Sequence, residues 1–328
     1  MEIKPGVTIA LCTYNGIKLL EQTLKYIAAQ ELSIPCELIL VDNASTDGTK
    51  HFADQWWEIN GSKAISYKSL EQAIPGKSYA QDMAYEHAVY EYILVCDDDN
   101  WLNPNYVQLS YDIMQSNLSI GALGGSSEAA FESNPPEWFD RFAFYYAVGE
   151  QSEVNGDVTQ SLGYLYGAGM VIRKSHWLEL KAVGFEHILS CRKGNALSSG
   201  GDTEYCYALQ LLGYKIWYDD RLLFKHYMTK NRLNLNYLSR LRSAMAYSNF
   251  VIHTYRCVLK GIRPDQNKLL RSKLKKNFFK HSYKRIFGNY NEKEIAKNYF
   301  RQIKLIIVSH RERIKHYDFI TSWARNRK

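Results

Sequence analysis

Four short apolar runs, residues 7–13, 37–42, 64–67 and 92–96, dominate the first third of the chain, and helix-length stretches separate them. Near-continuous apolar strands alternating with amphipathic helices predict an α/β fold with a mainly parallel sheet between helical layers. Residues 17–30 put Leu20, Leu24 and Ile27 on one helical face, and residues 45–57 open with Ser45-Thr46-Asp47, a ready helix cap. Residues 105–116 form a third helix behind Pro104. Open sheets of this kind bind ligands at the carboxyl ends of their strands, so the residues closing each run are the first candidates for function.

The fourth run drives Ile93-Leu94-Val95-Cys96 directly into Asp97-Asp98-Asp99-Asn100. Three adjacent carboxylates repel one another and are normally compensated by water or by an oxygen-seeking cation. An acidic turn uses the same residue types, so this stretch alone leaves both readings open.

A chain of 328 residues with 46% apolar content can bury a large core. The six cysteines, Cys12, Cys36, Cys96, Cys191, Cys206 and Cys257, include no CxxC pair, which argues for a reduced, cytoplasmic protein without a disulfide framework or cysteine zinc site. The opening Met1-Glu2-Ile3-Lys4 has no secretory pattern, and no apolar run approaches the ~18 residues that span a bilayer.

The net charge of +7 conceals a split. Residues 1–231 hold 17 Lys/Arg against 29 Asp/Glu (−12), whereas residues 232–328 hold 24 against 5 (+19). An acidic body with a basic tail is expected, and the tail should seek anionic partners.

In the middle of the chain, the Gly-rich residues 121–127 and Asn134-Pro135-Pro136 read as loops around a site rim. Residues 166–173 read as a strand with small residues at its start, which let a ligand or backbone come close. Ser198-Ser199-Gly200-Gly201-Asp202 then leads into a helix over residues 203–212, closed by Gly213. Two short strands, 216–218 and 222–224, end at His226.

Cys12-Thr13-Tyr14-Asn15 closes the first run, Val41-Asp42-Asn43-Ala44-Ser45-Thr46-Asp47-Gly48-Thr49 the second and Cys96-Asp97-Asp98-Asp99 the fourth. Together, over residues 5–230, they closely resemble the family 2 glycosyltransferases, which have the Rossmann-like GT-A fold. The resemblance implies a catalytic domain over residues 1–231, with a nucleotide-sugar half at about 1–116, an acceptor half at about 117–231 and a basic helical appendage over 232–328. It implies that Thr13, Tyr14, Asn15, Asp42, Asp97 and Asp98 line a nucleotide-sugar pocket, with Asp97 near the ribose. Asp99 would bind Mn²⁺ or Mg²⁺ as part of a DXD motif, and His226 would add a metal ligand.

Residues 74–84 match the family's Gly-x-x-x-Ala-Arg-Asn stretch, but Gln81 and Asp82 stand for Arg and Asn, so either Lys77 supplies the missing charge or the base is read differently. Asp202 matches the general base that deprotonates the acceptor hydroxyl, and Glu204 is the reserve. Asp202 equally suits a plain helix cap. Gly167, Ala168 and Gly169 would leave room for the acceptor, and Trp138 would stack on a sugar face or pack on the body.

The implied activity is an inverting, metal-dependent hexosyl or N-acetylhexosaminyl transfer. Its donor would be a nucleotide diphosphate sugar, UDP-linked by default, and its acceptor a glycan or lipid-linked sugar in bacterial surface polysaccharide synthesis. The competing readings are a non-catalytic binding protein of the same fold and a nucleotidyltransferase. The latter would show a Gly-rich phosphate loop where Thr13-Tyr14-Asn15-Gly16 stands. In the tail, residues 268–285 interleave cations with Leu and Phe, which suits either peripheral contact of residues 268–328 with an anionic membrane at the cytoplasmic leaflet or a helical bundle packing its apolar stripe on the catalytic body; a nucleic-acid partner is disfavoured.

Overall fold

The apolar runs of the first third form the parallel half of a mixed sheet, and all but the edge strand are buried on both faces. In a computed structural model that describes residues 2–189 and 199–325, β1 (Lys4–Thr13), α1 (Ile17–Ala28), β2 (Cys36–Asp42), α2 (Thr49–Asn60), β3 (Ile65–Glu71), α3 (Lys77–His87) and β4 (Tyr90–Asp97) alternate as expected. Every residue of β2 is buried, as are the last eight of β1, whereas β3 alternates because it lies at the sheet edge. The registers align the strand ends: Thr13 lies opposite Asp42, and Cys12 opposite Asp97. The polar clusters of three separate strands therefore share one rim.

The second half begins with β5 (Asn100–Leu102), α4 (Tyr106–Ser116) and β6 (Ile120–Phe131), followed by the short α5 (Phe139–Phe142) and β7 (Gly156–Asp157). Next come β8 (Val171–Arg173), α6 (Lys174–Val183), α7 (Gly201–Leu211) and β9 (Lys215–Met228). Among the described residues the sheet order is β3-β2-β1-β4-β8-β6-β9-β5, with β7 beside β9. β8 runs antiparallel to β4 and β6, and β5 antiparallel to β9, so the sheet is mixed.

Three local expectations are corrected. Helix α2 starts at Thr49, not at Ser45, because the Asp47 carboxylate bonds the Thr49 N–H at 3.1 Å and Gly48 takes a left-handed turn at φ 84°. The two short strands expected at 216–218 and 222–224 are one bent strand, β9. The strand expected over 166–173 is regular only from Val171, since Gly169 sits at φ 73°, yet its amide still bonds the Val95 carbonyl at 3.0 Å. Cys191 and Ser198 lie outside the described residues; Cys12, Cys36, Cys96, Cys206 and Cys257 are free and buried.

The basic tail forms α8 (Leu235–Leu259), α9 (Gln266–Phe287), α10 (Tyr290–Val308) and α11 (His310–Ala324). It is not a separate appendage throughout. Phe250, Val251 and Tyr255 of α8 and Ile320 and Trp323 of α11 belong to the same buried cluster as Val95, Ile172 and Leu209. Helix α9 behaves differently, leaving Phe279, Tyr283, Ile286 and Phe287 exposed beside Lys280 and Arg285. No described helix is long and apolar enough to cross a membrane.

Candidate active site

The rim at the ends of β1, β2 and β4 is held together by side chains that the strand spacing brings within reach. Asn15, in a left-handed conformation at φ 49°, accepts the Thr46 N–H at 2.8 Å and donates its own amide to Ser45 Oγ at 2.8 Å. It therefore splints two loops. Tyr14 beside it is exposed on the rim. Asp42 is buried and accepts the Ser45 N–H at 3.1 Å, holding the turn after β2 rather than capping α2. Asn43, a residue the sequence reading passed over, clamps the next loop: its side chain donates to the Ile74 carbonyl at 2.8 Å and accepts the Gly76 N–H at 2.7 Å.

The three aspartates diverge. Asp97 meets the Lys77 ammonium at 2.5 Å, so the charge expected to reach a donor is engaged with this carboxylate. Asp82, one of the two departures from the family pattern, faces α6, accepting from Trp177 Nε1 at 3.3 Å and from Lys181 Nζ at 2.9 Å.

Asp98, expected on the nucleotide side, turns into the protein. Thr13 donates to its Oδ2 at 2.6 Å, and Thr23 donates to its carbonyl at 2.7 Å. Burial and the neighbouring Asp99 charge push its carboxyl up to about 7, although the Thr13 bond opposes them. Gly16 makes this contact feasible, because a Cβ there would stand 2.3 Å from Asp98 Oδ2.

Asp99 is buried at the opposite flank of the turn. The pairing of Asn100 with His226 across β5 and β9 brings His226 beside Asp99, 127 positions away in the chain, with His226 Nε2 3.4 Å from Asp99 Oδ1. Asn100, fully buried, donates to Asp99 at 3.0 Å and accepts the Asp97 N–H at 3.0 Å, holding both outer aspartates in place. Arg232, one arginine within a basic stretch and without a local signal, donates from Nη1 to Asp99 Oδ2 at 2.7 Å. Asp99 and the other acids around it hold the Arg232 guanidinium well above its ordinary pKa, outweighing the opposing effect of burial.

These groups fit a divalent cation. His226 Nε2 faces Asp99 Oδ1 in a buried pocket, and a carboxylate with an imidazole is a donor set that Mn²⁺ accepts. Among the described residues no three His, Cys, Asp or Glu side chains converge into a closed metal cage, so such a cation would need water and substrate oxygens to complete its shell.

On the other side of β4, Asp202 lies in the first turn of α7, where its Oδ2 accepts the Gly167 N–H at 2.7 Å and its Oδ1 the Thr203 N–H at 2.9 Å. The cap position belongs to Gly200, at φ 102°. A Cβ at Gly167 would approach Asp202 Oδ2 to 2.8 Å, so the small residue serves this carboxylate. Because the segment entering β8 runs antiparallel to β4, with Gly169 bonded to Val95, Gly167 lies toward the Asp97 end. Ala168 is buried in the core, and the Gly169 carbonyl accepts the Tyr106 hydroxyl at 2.7 Å; both pack rather than line an open subsite.

Glu204 cannot take the acceptor-side role given to it as reserve. It is 0% exposed and accepts the Ile188 N–H at 3.0 Å, the Leu189 N–H at 2.9 Å and the Tyr255 hydroxyl at 2.9 Å. It anchors α7 to the segment after α6 and to the tail. Trp138 is half-buried, its ring 6.5 Å from Phe139 and 6.4 Å from Phe142, and it packs on the body.

A parallel β1–β4 half with its polar rim, joined to a mixed half that carries His226 and Asp202, is the GT-A arrangement of glycosyltransferases. Residues 8–177 match the glycosyl transferase family 2 model, more than half of the chain, and the protein belongs to that family. It is similar to the glucosyl-dolichyl phosphate glucuronosyltransferase of Haloferax volcanii, at 21% identity over 235 residues, covering 71% of this chain and 72% of that one. Among solved structures, S. aureus TarS 1-349 in complex with UDP superimposes with a TM-score of 0.52 at 15% identity, over 98% of this chain and 92% of that one. The mannosyltransferase PcManGT from Pyrobaculum calidifontis, in complex with GDP-Man and Mn²⁺, gives 0.55 at 17% identity, over 99% and 89%.

Proposed function

We propose that this glycosyltransferase is an inverting enzyme that moves a sugar from a nucleotide diphosphate sugar, UDP-linked in the first instance, to a hydroxyl of a glycan or lipid-linked acceptor in bacterial surface polysaccharide synthesis. The observation that carries the reading is Asp202: a partly exposed carboxylate, oriented by two backbone N–H groups, beside the strand that ends in Asp97. Such a group can take the acceptor proton as the acceptor oxygen attacks the anomeric carbon. Asp42, Thr13, Tyr14 and Asn15 form the rim on the donor side, and the Lys77–Asp97 pair borders it. Asp99 and His226 would hold a divalent cation, which when bound supplies positive charge to the leaving diphosphate. The neighbours bound to UDP, and to GDP-Man with Mn²⁺, support a nucleotide donor and a metal.

The test is calorimetric titration of the full chain with UDP, GDP, dTDP and CMP, each with Mn²⁺, Mg²⁺ or EDTA, beside an Asp99→Asn variant. Metal-dependent binding of one diphosphate, weakened at least about tenfold in the variant, is expected. Equal affinity with and without metal in both proteins would remove the metal assignment.

We further propose that the enzyme works at the inner face of the cytoplasmic membrane and meets anionic lipid through α9. Phe279 at 85% exposure and Phe287 at 70%, next to Lys280 and Arg285, would otherwise stand bare in water. Deleting residues 268–328 would be a poor test, since α11 lies in the core. Phe279→Ser with Phe287→Ser is expected to reduce co-sedimentation with phosphatidylglycerol-containing vesicles while leaving the melting temperature nearly unchanged. Undiminished co-sedimentation would exclude this face.

A further inference from the structure

The pairing of Asp99 with Arg232 has a consequence beyond the transfer reaction. A guanidinium 2.7 Å from Asp99 Oδ2 occupies one of the two oxygens by which this carboxylate would ligate a cation. Both groups are largely buried, Arg232 with 16% and Asp99 with 4% of its side chain exposed, so their mutual attraction is little screened. A divalent ion entering beside the guanidinium would meet an uncompensated like charge. The two cations therefore compete for one carboxylate.

The surroundings suit an exchange of one for the other. Arg232 lies in a single 3₁₀ turn, Lys230–Arg232, between β9 and α8. The turn's backbone is fixed from outside: the Lys230 N–H donates to Glu132 at 2.7 Å, and the Tyr146 hydroxyl donates to the Arg232 carbonyl at 3.2 Å. The long side chain can rotate away from Asp99 without moving that backbone. Asp99 itself stays in position when released, because Asn100 holds its Oδ1 at 3.0 Å and the Tyr227 N–H bonds its carbonyl at 2.8 Å.

We propose that Arg232 is the resident counter-ion of Asp99, a positioning residue that fills the cation locus until a divalent ion displaces it and thereby sets the metal affinity of the free enzyme. The proposal rests on the assignment of Asp99 as a metal ligand. It implies that the free protein binds Mn²⁺ weakly, since binding must first break an ion pair that is already formed.

The experiment titrates Mn²⁺ alone into the full chain by calorimetry, with free Mn²⁺ counted by electron paramagnetic resonance, for the wild type, Arg232→Gln and Asp99→Asn. Arg232→Gln is expected to raise Mn²⁺ affinity about tenfold. It should also melt lower than the wild type in EDTA and gain more in melting temperature from Mn²⁺. Should the glutamine variant not fold, Arg232→Lys keeps the charge but weakens the fork geometry, and a smaller gain in affinity is expected. Loss of binding in Asp99→Asn with unchanged or weaker binding in both Arg232 variants would overturn the counter-ion role and leave the metal site standing. Identical isotherms for the wild type and Asp99→Asn would instead overturn the metal assignment and the counter-ion role together.

Discussion

Asp202→Asn is expected to lower sugar transfer by about 10²–10⁴-fold while nucleotide affinity stays within about twofold. An asparagine keeps the size of the side chain and one acceptor oxygen, so the bond from the Gly167 N–H can persist and α7 should start where it does now. What disappears is the basic carboxylate proposed to take the acceptor proton. Turnover measured with saturating donor, against affinity measured by calorimetry, separates the two effects. Near-normal turnover would remove Asp202 from the chemistry, and Glu204 could not replace it, being enclosed by Ile188, Leu189 and Tyr255.

Trp323→Ala is expected to destabilise the whole molecule by about 3–5 kcal/mol in denaturant unfolding. The Trp323 ring is 2% exposed and lies edge-on to Phe185 at 5.5 Å, near the segment that Glu204 holds. Its loss leaves a cavity between the last described helix and the catalytic body. A separable tail would give a small effect, confined to α11. A cooperative loss of stability, with transfer activity falling along the same denaturant curve, would show that residues 310–324 complete the core.

Apolar runs located β1, β2 and β4 to within a few residues, because a strand buried on both faces must be apolar along its length, whereas edge strand β3, buried on one face only, showed just its first residues. The same pattern left the tail open between a membrane-contacting element and a bundle packed on the body. The tail's charge is concentrated on outward faces and hides the stripe of Phe250, Tyr255, Ile320 and Trp323 that joins the body. Composition averages over a helix; burial depends on one face of it.

Asp42, Asp97, Asp99 and Asp202, the carboxylates proposed for the site, could be singled out in the sequence because they stand at strand ends and a helix start, where open sheets gather ligand-binding side chains. Arg232 could not, since one arginine in a basic stretch carries no local signal, and its partner lies 133 residues away. The resemblance put both Asp97 and Asp98 on the nucleotide side and Asp99 on the metal, and residue type alone could not say where each side chain points. Only the packing of Thr13 and Thr23 turns Asp98 inward and leaves its neighbours facing Lys77 and Arg232.

By itself, then, the sequence determined the parallel half of the sheet, the family and the carboxylates on the rim, because these depend on periodicities and short spacings that the chain states locally. The tertiary structure alone decided which carboxylate faces which cation, that Glu204 is an anchor and that α11 is core. Those outcomes depend on contacts between segments far apart in the chain, where register and burial, rather than residue type, fix what each side chain meets.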